Sequence, residues 1–384
     1  MATGPRSTYT DTGPNKRSVN DLISMIDPSE AALLDLFGID NVKKFKLQNW
    51  PSTKYEWLED TLSLRAGTLN EALTDSETDM DVQTGEGALM KAGDIVKVGT
   101  ELIYIVSVAT DTATVTRGFA GSTAAAHDDD SPWKIVTIAR KEGASASTGH
   151  TTALSIPYNY TQIISEAVKV TGSAQINSQY GINDQMAHHI TRLIGGGGGM
   201  GGRNKAGKLA LALQGIFYHG SRYIGTDDIS RAAGGFEYFV TSNVEDLSSA
   251  ALTREYVENL QQDCFDAGGD PDTVIVNSRL RRKLTTLYKE NIETTIDEER
   301  GGHRITHIDT DLGKLRIVLD RFCPTDRLYM CEKDKVGWLP YRPFDIHDRA
   351  SDGDFKLKEV LGEFGFVVMN EKAHGYLKNV STTK

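Results

Sequence analysis

Cysteine is scarce: Cys264, Cys323 and Cys331 are the three in 384 residues. They are too few and too scattered for a disulfide framework, and none sits in a CxxC pair that could hold zinc. That usage suits a chain kept in a reducing cytoplasm. No run reaches the roughly 18–20 apolar residues of a membrane-spanning helix. The opening MATGPRSTYTDTGPNKRSVND has no apolar core of the kind a secretory signal needs. Positive charge is also short, with 42 Lys and Arg against 53 Asp and Glu, a net charge of −11. A nucleic-acid reader normally presents a basic face, so sequence-specific binding is disfavoured. A protein that lies beside nucleic acid without gripping it is compatible with this balance. Apolar material is ample: the chain is 39% hydrophobic, with 4 Trp, 14 Tyr and 12 Phe. Its length allows two or three domains, or one elaborate one.

Catalytic signatures are equally thin. GRNKAGKL, Gly202 to Leu209, follows a run of glycines and matches the phosphate-binding pattern G-x-x-x-x-G-K-[ST] at Gly202, Gly207 and Lys208. A genuine phosphate loop follows a buried strand and supplies a hydroxyl to magnesium. Here the preceding MAHHITRLI has helical spacing, the last position is Leu209, and no apolar strand ending in Asp stands out as a partner. The seven glycines within 195–202 have a mechanical reading instead. Each costs about 1 kcal/mol relative to Ala inside a helix, so the chain loops out between two half-helices. In HRITH, His303 and His307 lack the Glu of a zinc-protease motif, and the segment reads as a loop before a strand. His188 and His189 are adjacent and diverge on a helix. HDDD at 127–130 lacks the Gly and distal Glu of a calcium loop and reads as a solvated turn. No catalytic, cofactor-binding or metal-ligating residue is nominated.

The order of elements is more informative. Residues 1–17 are polar and extended. DPSEAALLDLFG predicts a short helix on an otherwise unpacked arm, with Asp27 as cap, Pro28 at the first position, Glu30 completing a capping box and Gly38 as the stop. YEWLEDTL, 55–62, alternates like an exposed strand. From about 82 to 140, Leu102, Tyr104, Val106 and Val108 recur at period two, with turn residues Asp94, Gly99, Asp111 and Gly118 between runs. This predicts a small antiparallel β-module. NYTQIISEAVKVTGSAQ reads as a strand leading to a turn. Ile182, Met186, Ile190 and Leu193 or Ile194 share a helical face, and KLALALQGIFYHG resumes the helix beyond the glycines. After 236 the pattern is α+β. Val257, Leu260, Cys264 and Ala267 form a helical stripe, DTVIVN a buried strand, and SRLRRKLTTLYKEN a helix capped by Asn277 or Ser278. KLRIVLD, DRLYMCE and FKLKEVLGEFGFVVMN are strands, and the irregular order argues against a doubly wound sheet.

In this order the segments resemble the major capsid protein of tailed bacteriophages, the Hong Kong 97 (Johnson) fold, in the branch with a β-module inserted in the extended loop. The stretches that carry the likeness are YEWLEDTL, GDIVKVGTELIYIVSVATDTATVTRGFAGSTAAAH, NYTQIISEAVKVTGSA, FDAGGDPDTVIVNSRLRRKL, THIDTDLGKLRIVLDRFCPTDRLYMCEKDKV and KLKEVLGEFGFVVMNEKAHGYLKNV. They run from about residue 10 to the end. The resemblance implies an α+β fold with an N-terminal arm at 1–50 and an extended loop at 51–155 carrying the β-module at about 82–140. It implies a peripheral domain at 156–235 and 346–384, with a spine helix over about 182–220, and an axial domain at 236–345. The family's spine is usually uninterrupted, so Gly195–Gly202 is a departure.

By the same resemblance the role is structural and not enzymatic. The chain assembles with itself into hexamers and pentamers, first a procapsid and then an expanded icosahedral shell enclosing double-stranded DNA. Assembly is expected in the host cytoplasm and the product is the virion capsid. Portal, scaffold and decoration proteins are the expected partners, with no membrane and no cofactor. Two alternatives stay open at this point: another virion component, such as a tail-tube or decoration protein, and a nucleotide-dependent enzyme built on GRNKAGKL.

Overall fold

A computed structural model describes residues 31–41, 44–45, 52–60, 66–140, 142–143, 154–177, 179–180, 182–195, 207–288, 292–297 and 302–381, with backbone only for 292–297 and 302–306. Helix α1 is Ala32–Phe37, followed by strands β1 (Lys54–Glu56), β2 (Ala66–Thr68) and β3 (Asp79–Asp81). Next come β4 (Asp94–Val98), β5 (Glu101–Ala109), β6 (Thr112–Thr116) and β7 (Pro132–Ile138). β8 (Tyr158–Tyr160) and β9 (Gln162–Thr171) lead to helices α2 (Gly172–Ile176), α3 (Gln185–Ile194), α4 (Lys208–His219) and α5 (Phe236–Phe239). Then follow β10 (Val244–Asp246), α6 (Arg254–Asp266), β11 (Thr273–Val276) and α7 (Ser278–Leu287). The chain closes with β12 (Ile292–Asp297), β13 (Gly302–Thr310), β14 (Gly313–Leu319), β15 (Leu328–Cys331), β16 (Val336–Arg349), β17 (Phe355–Val368) and β18 (Gly375–Lys378).

Residues 58–155 form one compact unit and the remainder another. The first holds an antiparallel six-stranded sheet in the order β2-β7-β4-β5-β6-β3. The predicted β-module is there, but it starts at Ala66 and not near 82. β2 and β3 are three residues each, too short to show a period, and hydrogen bonding to β7 and β6 recruits them. Its core lies on the face opposite the four residues that recur at period two in β5. Val96, Val98, Ile103, Ile105, Val115 and Trp133 are buried, whereas Leu102, Tyr104 and Val108 are half-covered and Val106 is exposed. β5 is apolar on both faces, so periodicity alone does not choose the inner one. A register shift between Ile105 and Ser107 ends the clean alternation.

The other unit has two main sheets. A seven-stranded mixed sheet runs β10-β18-β15-β11-β14-β13-β12, with only the β10–β18 and β11–β14 pairs parallel. Helix α6 buries Val257, Leu260 and Cys264 of the predicted stripe, and α7 buries Leu280 and Leu284. α7 begins where predicted because the Asn277 side chain accepts from the Arg279 and Leu280 amides at 2.9 Å each. HRITH is not a loop but part of β13, paired to β12 and β14. Neighbouring strands set that conformation, and no signal within five residues reveals them.

The second sheet is β16-β17-β9, two 14-residue strands and a ten-residue partner. Helices α3 and α4 bury Met186, Leu193, Leu213 and Phe217 in one core cluster with Ile164, Val168, Phe364 and Phe366 of this sheet. Leu193, not Ile194, completes the α3 stripe. α3 stops at Gly195, whose φ of +87° lies in the region that favours glycine. α4 restarts at Lys208, after Gly207. A methyl on Gly207 would fall 2.2 Å from the Leu193 carbonyl oxygen, so the two helix ends adjoin. The break between half-helices is therefore real, while Gly196–Gly202 lies outside the described residues.

Helix α1 corrects two expectations. It begins at Ala32 with Ala31 as N-cap, so Asp27 is not its capping residue; Asp27, Pro28 and Glu30 lie outside the described residues. Nor is the helix unpacked. Leu33 is fully buried, and Phe37 stacks on Phe217 at 6.1 Å and meets Trp338 at 6.0 Å. Phe217 is the hub of this core, with Phe236 at 4.9 Å, Tyr329 at 5.6 Å and Phe366 at 5.8 Å. Such ring pairs contribute about 0.5–1.5 kcal/mol each beyond area burial.

Candidate functional site

The chain leaves the larger unit at Trp57 and re-enters it at Ile156. The short antiparallel ribbon of β1 and β8 guards both crossings, with Tyr55 opposite Asn159. Tyr55 and Trp57 are buried, so YEWLEDTL is not an exposed strand at this end. The Tyr55 hydroxyl donates to the Phe366 carbonyl at 2.7 Å and accepts from the Phe366 amide at 2.6 Å. Asn159 Nδ2 donates to the carbonyls of Phe366 (2.7 Å) and Gly234 (3.0 Å), and its Oδ1 accepts from the Gly234 amide at 2.9 Å. Gly365 makes room for the Tyr55 ring, because a methyl there would lie 2.6 Å from Cε1. The base of the 58–155 excursion is thus pinned by buried, satisfied polar groups, which fix one geometry.

Within the excursion, one buried carboxylate ties four segments together. Glu101 accepts from Arg117 Nε and Nη2 at 2.8 Å each, from the Gly118 and Ala125 amides at 3.0 and 3.2 Å, and pairs with His127 Nε2 at 3.0 Å. Arg117 Nη1 reaches the Thr74 and Glu77 carbonyls. Burial works against the charge, but the guanidinium, the two amides and the imidazole outweigh it and hold the Glu101 carboxyl at about 2. In HDDD, therefore, His127 points inward to Glu101, and only Asp128, Asp129 and Asp130 form the solvated turn.

The chemical candidates are dispersed. Gly202 lies outside the described residues. Gly207 caps α4, Lys208 pairs with Glu166 at 2.5 Å, and Leu209 is buried. The described element before this segment is helix α3 and not the buried strand that a phosphate loop follows. An apolar strand ending in Asp does exist, contrary to the sequence reading. Asp320 follows β14, but it is fully buried and accepts from Gln214 Nε2, Tyr218 Oη (2.5 Å) and the Phe322 amide (3.1 Å). It locks α4 in place instead of facing solvent.

His303 and His307 stand four residues apart along β13, about 13 Å, too far to share an ion. The rings of His188 and His189 do not diverge but meet edge-on at 5.6 Å. Among the described residues, no three His, Cys, Asp or Glu side chains are grouped to hold a metal. All three cysteines are buried; burial pushes the Cys264 thiol to about 12 and raises Cys323 and Cys331 as well. Protonated thiols are poor nucleophiles.

What remains is surface. The hairpin-like loop 221–232 closes through the Tyr223–Ala232 bridge and presents Tyr223, Ile224 and Ile229 to solvent, with Ile224 61% exposed. It is held rigidly. Arg231 and Arg342 converge on the buried Glu363 at 2.7–2.9 Å, and Arg222 donates to the Tyr158 carbonyl at 2.9 Å. Ile176, at the end of α2, is 87% exposed. Apolar side chains held out on an ordered frame mark contact surfaces better than catalytic ones.

Comparison with known proteins agrees with a structural role. No curated protein matches the sequence. The chain is similar in fold to the capsid subunit of cyanophage A-1(L), with a TM-score of 0.54, 11% identity and 98% of this chain and 100% of that chain covered. A native GTA particle capsid gives a TM-score of 0.52 at 10% identity, covering 98% and 100%. At such identity these likenesses speak for the fold, which is that of tailed-phage capsids, as the resemblance implied. The family model of the SU10 major capsid protein matches residues 6–381, and the chain belongs to that family of shell-forming major capsid proteins.

Proposed function

We propose that this capsid protein assembles into hexamers and pentamers that close an icosahedral head around double-stranded DNA, first as a procapsid and then as an expanded shell. In this reading residues 51–155 are the extended loop. Residues 156–235 and 346–384 form the peripheral domain, and 236–345 the axial domain. The arm is placed at 1–50 from sequence, and α1 within it is part of the subunit's own core. Portal, scaffold and decoration proteins are its partners in the host cytoplasm, where assembly takes place.

The observation that carries the reading is the hydrogen-bonded loop that exposes Tyr223, Ile224 and Ile229, together with a compact excursion, residues 58–155, inserted in the chain of the larger unit. Identical subunits in a closed lattice need such repeated contacts. The net charge of −11 suits an inner wall that encloses phosphates without adhering to them, since that attraction scales with the cations presented.

The arm is tested by deleting residues 1–17, which precede every described element. The truncated chain is expected to keep the melting temperature of the full chain and to form no closed particles by electron microscopy. Normal shells from it would remove the arm from assembly.

A further inference from the structure

The loop 221–232 and helix α7 carry surfaces of opposite character. The tip of the loop, Tyr223 to Ser230, reads YIGTDDIS, with two acids and no cation. Ile224 and Ile229 are 61% and 57% exposed, and Asp227 and Asp228 are exposed beside them. Among the described residues neither aspartate is in an ion pair. The two arginines of the loop are turned inward, Arg222 to the Tyr158 carbonyl and Arg231 to Glu363. The tip also has a defined shape. Gly225 has a φ of +83°, the Thr226 amide donates to the Ile229 carbonyl at 2.8 Å, and the Ile229 amide donates to Thr226 Oγ1 at 3.1 Å. A surface ordered before contact loses little conformational freedom on binding.

Helix α7 borders a groove of about 600 Å³. Its floor is apolar, from Leu252, Leu280 and Val380, and its rim carries Arg279, Arg282 and Lys283. In a chain of net charge −11, the ten residues of α7 hold four cations and no acid. Arg282 and Lys283 are exposed, and among the described residues neither is in an ion pair. Asn277 already occupies the Arg279 and Leu280 amides, so the attraction comes from side chains and not from the helix end. A basic rim over an apolar floor matches an acidic, apolar tip, whereas the phosphates of a duplex would leave the floor unused. Among the described residues, none of the loop lines the groove of its own chain, and its two isoleucines stay in solvent. The floor belongs to the core cluster of the seven-stranded sheet, while Ala233 and Phe236, just beyond the loop, belong to the cluster around Phe217.

We infer that the 223–230 tip of one copy seats in the α7 groove of the next. Ile224 and Ile229 rest on Leu252, Leu280 and Val380, and Asp227 and Asp228 face Arg282 and Lys283. The charges set approach and orientation, and the apolar centre excludes water. The two surfaces differ, so the contact is heterologous: repeated, it closes a ring or runs on as an open chain. The inference deepens the proposed self-assembly and rests on it, naming surfaces by which neighbouring copies meet.

Disulfide trapping between full-length chains tests it. Ser230→Cys with Thr286→Cys in one chain keeps every charged and apolar residue of the contact, and Ser230→Cys with Lys169→Cys, on β9, is the control; all three positions are exposed. The three native cysteines are buried. A disulfide needs Cα atoms within about 7 Å. Under mild oxidation the test chain is expected to link into a ladder of dimers and longer oligomers, faster than the control by roughly tenfold or more. Adding Arg282→Glu and Lys283→Glu should slow linking about tenfold, and adding Asp227→Lys and Asp228→Lys to that variant should restore most of the rate. Closure within one chain, linking no faster than the control, or indifference to charge reversal would each overturn the assignment. Electron microscopy of the unsubstituted chain reads the shell separately. Closed shells without the ladder reject this contact alone, whereas a ladder from chains that form no shell keeps the contact and rejects the shell.

Discussion

His374 shows how one buried side chain ties stability to pH. Its ring is fully buried, Nδ1 accepts from the Glu332 amide at 3.2 Å, and Nε2 faces the Met369 carbonyl at 3.1 Å. Both contacts suit a neutral ring with the proton on Nε2. Burial pulls its pKa to about 4, against a smaller upward pull from the Met369 carbonyl. Unfolded, the ring titrates near 6.5. Between these values the unfolded chain binds the extra proton, so the contribution is present above about 6.5 and is lost as pH falls towards 4. Urea midpoints should record a loss of roughly 3 kcal/mol over that window, absent from His374→Asn. Parallel pH curves for the two proteins would contradict this.

At the scale of elements, the β1–β8 ribbon depends on one glycine. Gly365→Ala would press a methyl against Tyr55 at 2.6–2.7 Å from Cε1, Cζ and Oη. Overpacking of this kind costs about 1–3 kcal/mol. Scanning calorimetry should show a melting temperature lower by several degrees, with the near-ultraviolet tyrosine signal altered; an unchanged melting temperature would mean that Tyr55 is not seated there.

Elements of this kind also mark what could be read from the sequence. Where a signal is local, the reading held: the Val257, Leu260 and Cys264 stripe of α6, the Asn277 cap of α7, and the glycine stop after α3 are each decided within a few residues. β2, β3 and the HRITH strand exist through their partners and carry no period of their own. The period of two in β5 marked the strand but did not choose its inner face, because both faces are apolar. Tyr55 and Phe366 are 311 positions apart, so no spacing rule joins them. Asp320, by contrast, stood at the end of an apolar strand, and its burial was the missing information.

For the whole molecule, the consistent theme is division of labour. Buried carboxylates, Glu101 in one unit with Glu363 and Asp320 in the other, fix the framework through convergent donors. Apolar groups such as Ile176 and Ile224 are left outside it. The central claim is that the purified chain closes on itself. Negative-stain electron microscopy of the recombinantly expressed full chain tests this most directly: the account predicts closed isometric shells or hexameric rings, and open tubes would contradict it.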